Sequence, residues 1–305
     1  METIAQGVVH VFLALAIPPL LLGVIARTKA FFAGRVGPPV LQPYHDLIRL
    51  FQKGSVISET TTWVFRAGPA VGMATAVLAS LLIPLGGPTA PVSFAGDLIL
   101  FVYLLGLGRF FTALAALDTG SPFEGMGAAR EVAFACLAEP AFFLGLLVLA
   151  KLTGSLALAG MLGASLGAHW ATAGASLVLV LLSWFVVLLV ENSRIPFDDP
   201  NTHLELTMIH EVMVLDHSGP ALGMIQYSAA IKLFVSSALV ARVAFSAGLG
   251  PGWAAWPVLV IGILLIAVLI GVVESVMARL RLLHVPTLLV AACLLSAFGV
   301  ILLAR

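Results

Sequence analysis

About eight apolar stretches, each approaching or reaching the roughly 17 to 25 residues that a membrane-crossing helix requires, constrain what this chain can fold into. They run near Gly7 to Ala26, Ala67 to Leu85, Leu98 to Leu117, Val132 to Ala150, Ala173 to Val190, Ser228 to Ala247, Ala254 to Val273 and Thr287 to Ala304. Of the 305 residues, 61% are hydrophobic and 10% charged, against roughly a quarter charged in soluble domains, so lipid must be the main solvent. The expected fold is all-α, a polytopic membrane protein with about eight transmembrane helices and amphipathic helices in its cytoplasmic loops. No long polar linker divides it, which makes residues 1–305 one integral membrane domain with cytoplasmic loops at 27–66, 118–130, 191–227 and 274–286. A ninth run, Ser155 to Ala168, is short, rich in Ala, Gly and Leu, and reads as an external loop helix.

Orientation follows from the basic residues, because positive loops stay on the cytoplasmic side. Arg27, Lys29, Arg35, Arg49, Lys53 and Arg66 follow the first run, and Arg130, Arg194, Arg279 and Arg281 fall on the same side. The other side carries little beyond Lys151 and Arg305, so both termini are expected outside the inner (cytoplasmic) membrane of a cell. Ala14-Leu-Ala16 mimics a signal-cleavage site, but only Glu2 precedes the apolar core where a signal needs positive charge, so the first helix is expected to be retained. Cys136 and Cys293 stand far apart in apolar runs and read as buried free thiols, with no motif for zinc, a disulfide or an iron–sulfur cluster. A net charge of zero offers nothing for nucleic acid.

Directly after the run that ends at Val190, the segment Glu191-Asn-Ser-Arg-Ile-Pro-Phe-Asp198 sets two carboxylates and an arginine at the membrane rim. Charges in or beside spans are functional sites by default. Arg109 lies eight residues before Leu117, and Glu139 eight residues after Glu131. If the loop between the two helices is a tight hairpin, both sit at one level, on the order of 12 Å inside the membrane. A lone charge there costs several kcal/mol, and an ion pair or a hydrated cavity is the usual remedy. The plainer reading is a static pair that only positions two helices. The sharper one is a hydrated chamber formed by Arg109, Asp118, Glu124, Arg130, Glu131, Glu139, Glu191, Lys232 and Glu274, all in the cytoplasmic half or at its rim. The outer half is nearly bare, holding Arg242 and Asp97, so protons or a signal entering from the cytoplasm are expected to leave sideways into a neighbouring protein.

Two loops carry further patterns. Between Val40 and Lys53, Leu41, Tyr44, Ile48 and Phe51 share one helical face, as in a helix lying on lipid or on a docked protein, with Gly34-Arg-Val-Gly-Pro-Pro39 as its hinge. Thr202 and Glu205 fit a capping box that opens a helix to about Asp216, along which His203, His210 and His217 recur every seven residues. Successive histidines would stand about 10.5 Å apart along the axis, too far to share a metal. A titratable face with Glu205, Glu211 and Asp216 is the expectation, beside the alternative of a plain solvated face.

These residues resemble the membrane-anchor subunit shared by respiratory complex I and the energy-converting nickel–iron hydrogenases. Glu191 to Asp198 is similar to that family's signature, as are the Gln42 and Asp46 segment and Gly127-Ala-Ala-Arg130 through Glu139, and the match runs over nearly the whole chain. The complex I form continues with a glutamate-rich run where this chain has Asp199-Pro-Asn-Thr-His-Leu-Glu-Leu-Thr-Met-Ile-His-Glu211, which argues against a quinone-binding role. With Asp118-Thr-Gly-Ser-Pro-Phe123 and Met277-Ala-Arg-Leu-Arg281, the chain is similar to the formate hydrogenlyase and hydrogenase-4 branch.

The resemblance implies a non-redox subunit of an oxidoreductase complex that couples electron transfer to proton or sodium translocation and binds no cofactor of its own. Its implied partners, besides lipid, are the hydrogenase large and small subunits, an iron–sulfur subunit and antiporter-like membrane subunits, with the nickel–iron centre and iron–sulfur clusters in those partners. Glu139 and Glu191 would match channel charges. The interface loop would comprise Arg35, Gln42, Asp46, Arg194, Phe197, Asp198, Asp199, His203, Glu205, His210, Glu211, Arg279 and Arg281. A complex I quinone-site subunit and a passive anchor stay open beside it.

Overall fold

The structure, a computed structural model, describes residues 2–86, 89–163, 165–198, 209–246 and 252–304. The helices are α1 (Glu2–Phe32), α2 (Gln42–Gln52), α3 (Trp63–Leu82), α4 (Asp97–Asp118), α5 (Pro122–Thr153), α6 (Leu158–Met161), α7 (Ser165–Ala168), α8 (Trp170–Glu191), α9 (Gly219–Ala244), α10 (Ala255–Val276) and α11 (Val285–Leu302). Eight of them are long and apolar enough to cross a membrane, and each coincides with one of the apolar runs. The chain is an all-α, multi-pass membrane protein. Helix α5 starts ten residues before the apolar run at Val132, with Pro122 in its first turn, so Glu124, Arg130 and Glu131 are helical and the loop after α4 shrinks to residues 119–121. The expected external loop helix is two single turns, α6 and α7.

Five spans close a ring: α3 packs on α4 and α9, α5 on α4 and α8, and α8 on α9. Outside it, α1 and α10 lean on α9, and α11 lies across α5 and α8. Small residues let α3 and α4 approach closely. A Cβ on Gly68 would stand 2.8 Å from the Ala115 Cβ, and one on Gly108 2.7 Å from the Thr75 Oγ1. In lipid this close approach of backbones replaces the hydrophobic drive that packs soluble helices.

Prolines create acceptors that other helices use. Pro19, inside α1, has no N–H for the Leu15 carbonyl, and the Tyr227 hydroxyl of α9 donates to that oxygen at 2.6 Å. The Tyr44 hydroxyl of α2 donates to the adjacent Ala16 carbonyl. Helix α2 is thereby held against α1, and its Leu50 and Phe51 pack under Gly223 of α9.

Three expectations change here. Tyr44 turns inward on α2 while Leu41 and Ile48 stay exposed, because the tyrosine hydroxyl reaches the Ala16 carbonyl on α1 rather than following the apolar stripe. Cys136 is exposed and Cys293 half-buried, since each lies on a helix face turned to the surroundings rather than to the ring. The helix expected to reach Asp216 is, in its described part, a four-residue 3-10 turn over Glu211–Val214. Thr202, with Asp199, His203 and Glu205, lies outside the described residues.

Asp118, assigned to the chamber, instead caps α3. Its carboxylate accepts from the Thr62 N–H at 2.7 Å, the Thr62 hydroxyl at 2.8 Å and the Phe65 N–H at 3.2 Å, which satisfies first-turn donors that no helix can satisfy itself. Asp118→Ala should lower the thermal midpoint in detergent and leave ion transport per turnover of the folded protein unchanged. A variant of undiminished stability with reduced transport would return Asp118 to the chamber.

Candidate functional site

Arg109, a little past the middle of α4, points into the ring and gathers carboxylates from two other helices. Its Nη1 donates to Glu139 Oε1 of α5 at 2.7 Å, and its Nη2 donates to both oxygens of Glu191 at the end of α8, at 2.8 and 2.7 Å. Glu131 Oε1, two turns before Glu139 on α5, stands 3.9 Å from Nε. Lys232 of α9 adds a second cation, with Nζ 2.8 Å from Glu191 Oε2. The Arg109–Glu139 pair is the one expected from their equal distance to the intervening loop. The Arg109–Glu191 pair has no signature in the sequence, because the two residues lie 82 positions apart.

Glu191 sits less at the rim than its place after the apolar run suggests, since it meets an arginine nine residues inside α4. A carboxylate at a helix C-terminus opposes the macrodipole, so the convergence of two cations on Glu191 is what makes this position tenable. The chain beyond it folds back rather than leaving. Ser193, Phe197 and Asp198 are buried, and Asp198 accepts from the N–H groups of Ile209 and His210 at 3.1 and 3.0 Å and from Arg279 Nη2 at 2.8 Å. The Leu280 N–H donates to the Pro196 carbonyl at 2.8 Å. Phe197 and Asp198 therefore organise the loop from within rather than facing a partner, because Asp198 replaces backbone acceptors that the short turn at 209–210 lacks.

A second ion-pair group joins this loop to α1 and α10. Glu274, buried on α10, lies 2.9 Å from Lys29 and 3.6 Å from Arg194. Glu124 is buried in the first turn of α5 and accepts from the Asp216 N–H at 3.0 Å, so it anchors the 3-10 segment and does not touch Arg109. Arg130 sits beside Met126 Sδ at 3.1 Å, and Gln42 donates to Asp46 within α2 at 2.9 Å. Arg35 and Arg281 are exposed at the end of the molecule that carries the basic loops, and Glu211 is half-buried.

Two cavities meet at the cluster. One lies among α4, α5, α8 and α9 and is lined by Arg109, Glu139, Glu191, Lys232, Phe143 and Trp184 among others. The other lies toward α3 and is lined by Arg109, Glu131, His210, Lys232 and Thr112 among others. Arg109 and Lys232 belong to both walls, so the ion pairs stand between the two spaces. At the opposite end the fold is tied shut by backbone. Buried Asp97 accepts from the Leu158 N–H at 2.7 Å, and buried Arg242 donates to the Leu162 carbonyl at 2.6 Å, which clamps both ends of α6.

The histidines part company. His210 faces Glu131, its Nδ1 3.9 Å from Oε2, whereas His217 is buried and stacked on Phe65 of α3 with ring centroids 3.9 Å apart. Among the described residues no group of His, Cys, Asp and Glu is arranged to hold a metal ion.

Eight spanning helices, five of them ringed around an arginine–carboxylate cluster, define a multi-pass membrane protein with ionisable groups inside its spans. A family model described as NADH dehydrogenase matches residues 5–305, and the chain belongs to that family. It is 32% identical over 294 residues to hydrogenase-4 component C of Escherichia coli strain K12, covering 92% of each chain. It is 31% identical over 293 residues to formate hydrogenlyase subunit 4 of the same strain, again over 92% of each. Against a subunit of the NADH-quinone oxidoreductase of Rubrobacter xylanophilus, the identity is 30% over 250 residues, covering 80% of this chain and 73% of the relative. Among solved structures, a chain of the membrane-bound sulfane sulfur reductase, an archaeal respiratory membrane complex, has the same fold, with a TM-score of 0.80 over 99% of both chains at 21% identity.

Burial lowers the pKa of His217 from 6.5 to about 4, against the opposing pull of Asp216. The unfolded segment takes up a proton below pH 6.5 while the stacked ring stays neutral, so stability falls as pH drops from 6.5 to about 4 and levels off below that. The full loss is on the order of 3 kcal/mol. His217→Phe should flatten this acid sensitivity in thermal unfolding followed across the window. Equal pH slopes in both proteins would show that His217 is not buried neutral.

Proposed function

We propose that this chain is the membrane subunit of an energy-converting nickel–iron hydrogenase complex of the formate hydrogenlyase and hydrogenase-4 type. It docks the peripheral redox arm and couples electron transfer there to proton or sodium movement through its charged interior. The observation that carries the coupling is Arg109, which bridges Glu139 and Glu191 inside the spans while sharing two cavities with Lys232. The branch is supported by the two Escherichia coli relatives, which align over 92% of both chains where the quinone-oxidoreductase relative from Rubrobacter xylanophilus aligns over 80% and 73%.

In this reading the basic loops face the cytoplasm, both termini lie outside, and the complex sits in the inner membrane. The nickel–iron site and iron–sulfur clusters belong to partner subunits docked on the exposed basic end, near Arg35 and Arg281. The residues of this chain hold and move the ion. His210 and Glu131 receive it in the inner cavity, the ion pairs of Arg109 and Lys232 divide the path, and Glu139 passes it sideways to an antiporter-like neighbour. The lever is the stretch from Glu191 to Asp198, tied by Asp198 to Arg279 and to the turn that bears His210. A shift of this stretch under the arm would move Glu191 relative to Arg109 and Lys232. At an effective dielectric near 20, a unit charge at 4 Å is worth about 4 kcal/mol, enough to change whether a neighbouring carboxylate holds a proton.

Glu191→Gln and Asp198→Asn in the assembled complex should leave hydrogenase activity with a soluble dye largely intact and lower ion transport per turnover. Fully assembled variants that pump at the unmodified ratio would reduce the chain to a passive anchor. Bound quinone in a purified assembly that evolves no hydrogen would favour the quinone-oxidoreductase branch instead.

A further inference from the structure

One carboxylate interrupts an otherwise apolar outer face of α5. Val132, Cys136, Glu139, Phe143 and Leu147 follow one another at three- and four-residue intervals and are all exposed, which places them on a single stripe turned away from the ring. Glu139 lies 17 residues from Pro122 and 14 from Thr153, roughly 26 and 21 Å along the axis, so it stands near the middle of the span. Its side chain is nonetheless 48% exposed. The adjoining face of α4 shows Tyr103, Leu107 and Phe110, also exposed.

The partners around it are unevenly shared. Arg109 and Lys232 both converge on Glu191, and Glu131 has Arg109 and His210 beside it. Among the described residues Glu139 keeps one ion pair, at 2.7 Å, with half of its surface left outside. In hydrocarbon that exposure costs several kcal/mol. Lipid headgroups cannot relieve it, because they sit at the ends of the span. A second copy of this chain meeting the same stripe would bring a second Glu139 and add repulsion.

We infer that the α4–α5 face is covered by a transmembrane helix of another subunit, which places a lysine or arginine beside Glu139. The occupant is a polypeptide segment that is apolar along its contact and carries one basic side chain at mid-depth. The cavity that reaches Glu139 and Phe143 offers room for such a side chain to enter from the flank. This rests on the proposal of a multisubunit complex and specifies where the ion-accepting neighbour must sit.

The test is photo-crosslinking in the intact complex purified in mild detergent, with benzoylphenylalanine replacing Phe143 on the stripe. The expected product joins this chain to a membrane segment of a different subunit, with a lysine or arginine within one helical turn of the crosslinked residue. Native Cys136, one turn from Glu139, should resist a membrane-permeant maleimide in the same complex and react once the partner is stripped. A crosslink to a second copy of this chain, to lipid only, or to a segment without a basic residue overturns the inference, as does a Cys136 that labels equally before and after stripping. Mass spectrometry of the same sample separates the two readings. Absence of a nickel–iron subunit would contradict the proposed function, whereas its presence with any of those adverse outcomes would contradict only the inferred neighbour.

Discussion

A guanidinium inside a membrane span cannot stand alone, and the arrangement of this molecule follows from how Arg109 is satisfied. Its donors require acceptors from outside α4, and the ring of α3, α4, α5, α8 and α9 brings Glu139 and Glu191 to within 2.8 Å. That demand also explains why α8 stops where it does. Ending the helix at Glu191 sets a carboxylate against Arg109 and Lys232, and the following residues must then return along the inside of the molecule. Asp198 and Arg279 complete that return, so the segment nearest the exposed basic loops is mechanically continuous with the buried ion pairs.

The two ends of the molecule are built on opposite principles. Around Arg109, carboxylates and cations line cavities and are joined to one another through side chains, which can exchange partners. At the other end, Asp97 and Arg242 are committed to the free terminal N–H and C=O groups at the two ends of α6. In the proposed path, an ion at Arg109 has the α6 segment ahead and a half-exposed carboxylate, Glu139, at the side.

Features that depend on local pattern were legible in the amino-acid sequence. The eight spans follow from apolar length, and the Arg109–Glu139 pair follows from counting residues to either side of one tight loop. Features that depend on tertiary return were not. Nothing in the spacing of Arg109 and Glu191 announces contact, and Phe197 and Asp198 look like loop-surface residues until the chain is seen to fold back over Glu131. The seven-residue recurrence of histidines suggested one face, but a 3-10 turn breaks the helix that would have aligned them, sending His210 to Glu131 and His217 to Phe65. Tyr44 leaves the apolar stripe for a related reason, since the Ala16 carbonyl to which it donates lies 28 positions away on another helix. The exposed mid-span position of Glu139 had a faint signal, because it shares the helical spacing of Val132, Cys136 and Phe143 rather than that of the ring-facing residues.

The central claim is that redox change in the docked arm alters the protonation of carboxylates held by Arg109. Hydrogen-induced infrared difference spectroscopy of the intact complex reads this directly in the carbonyl-stretch region of protonated carboxyl groups. The account predicts a difference band that is lost or displaced in Glu139→Gln or Glu191→Gln. Identical difference spectra in the unmodified complex and in both variants, with all three turning over hydrogen, would contradict it.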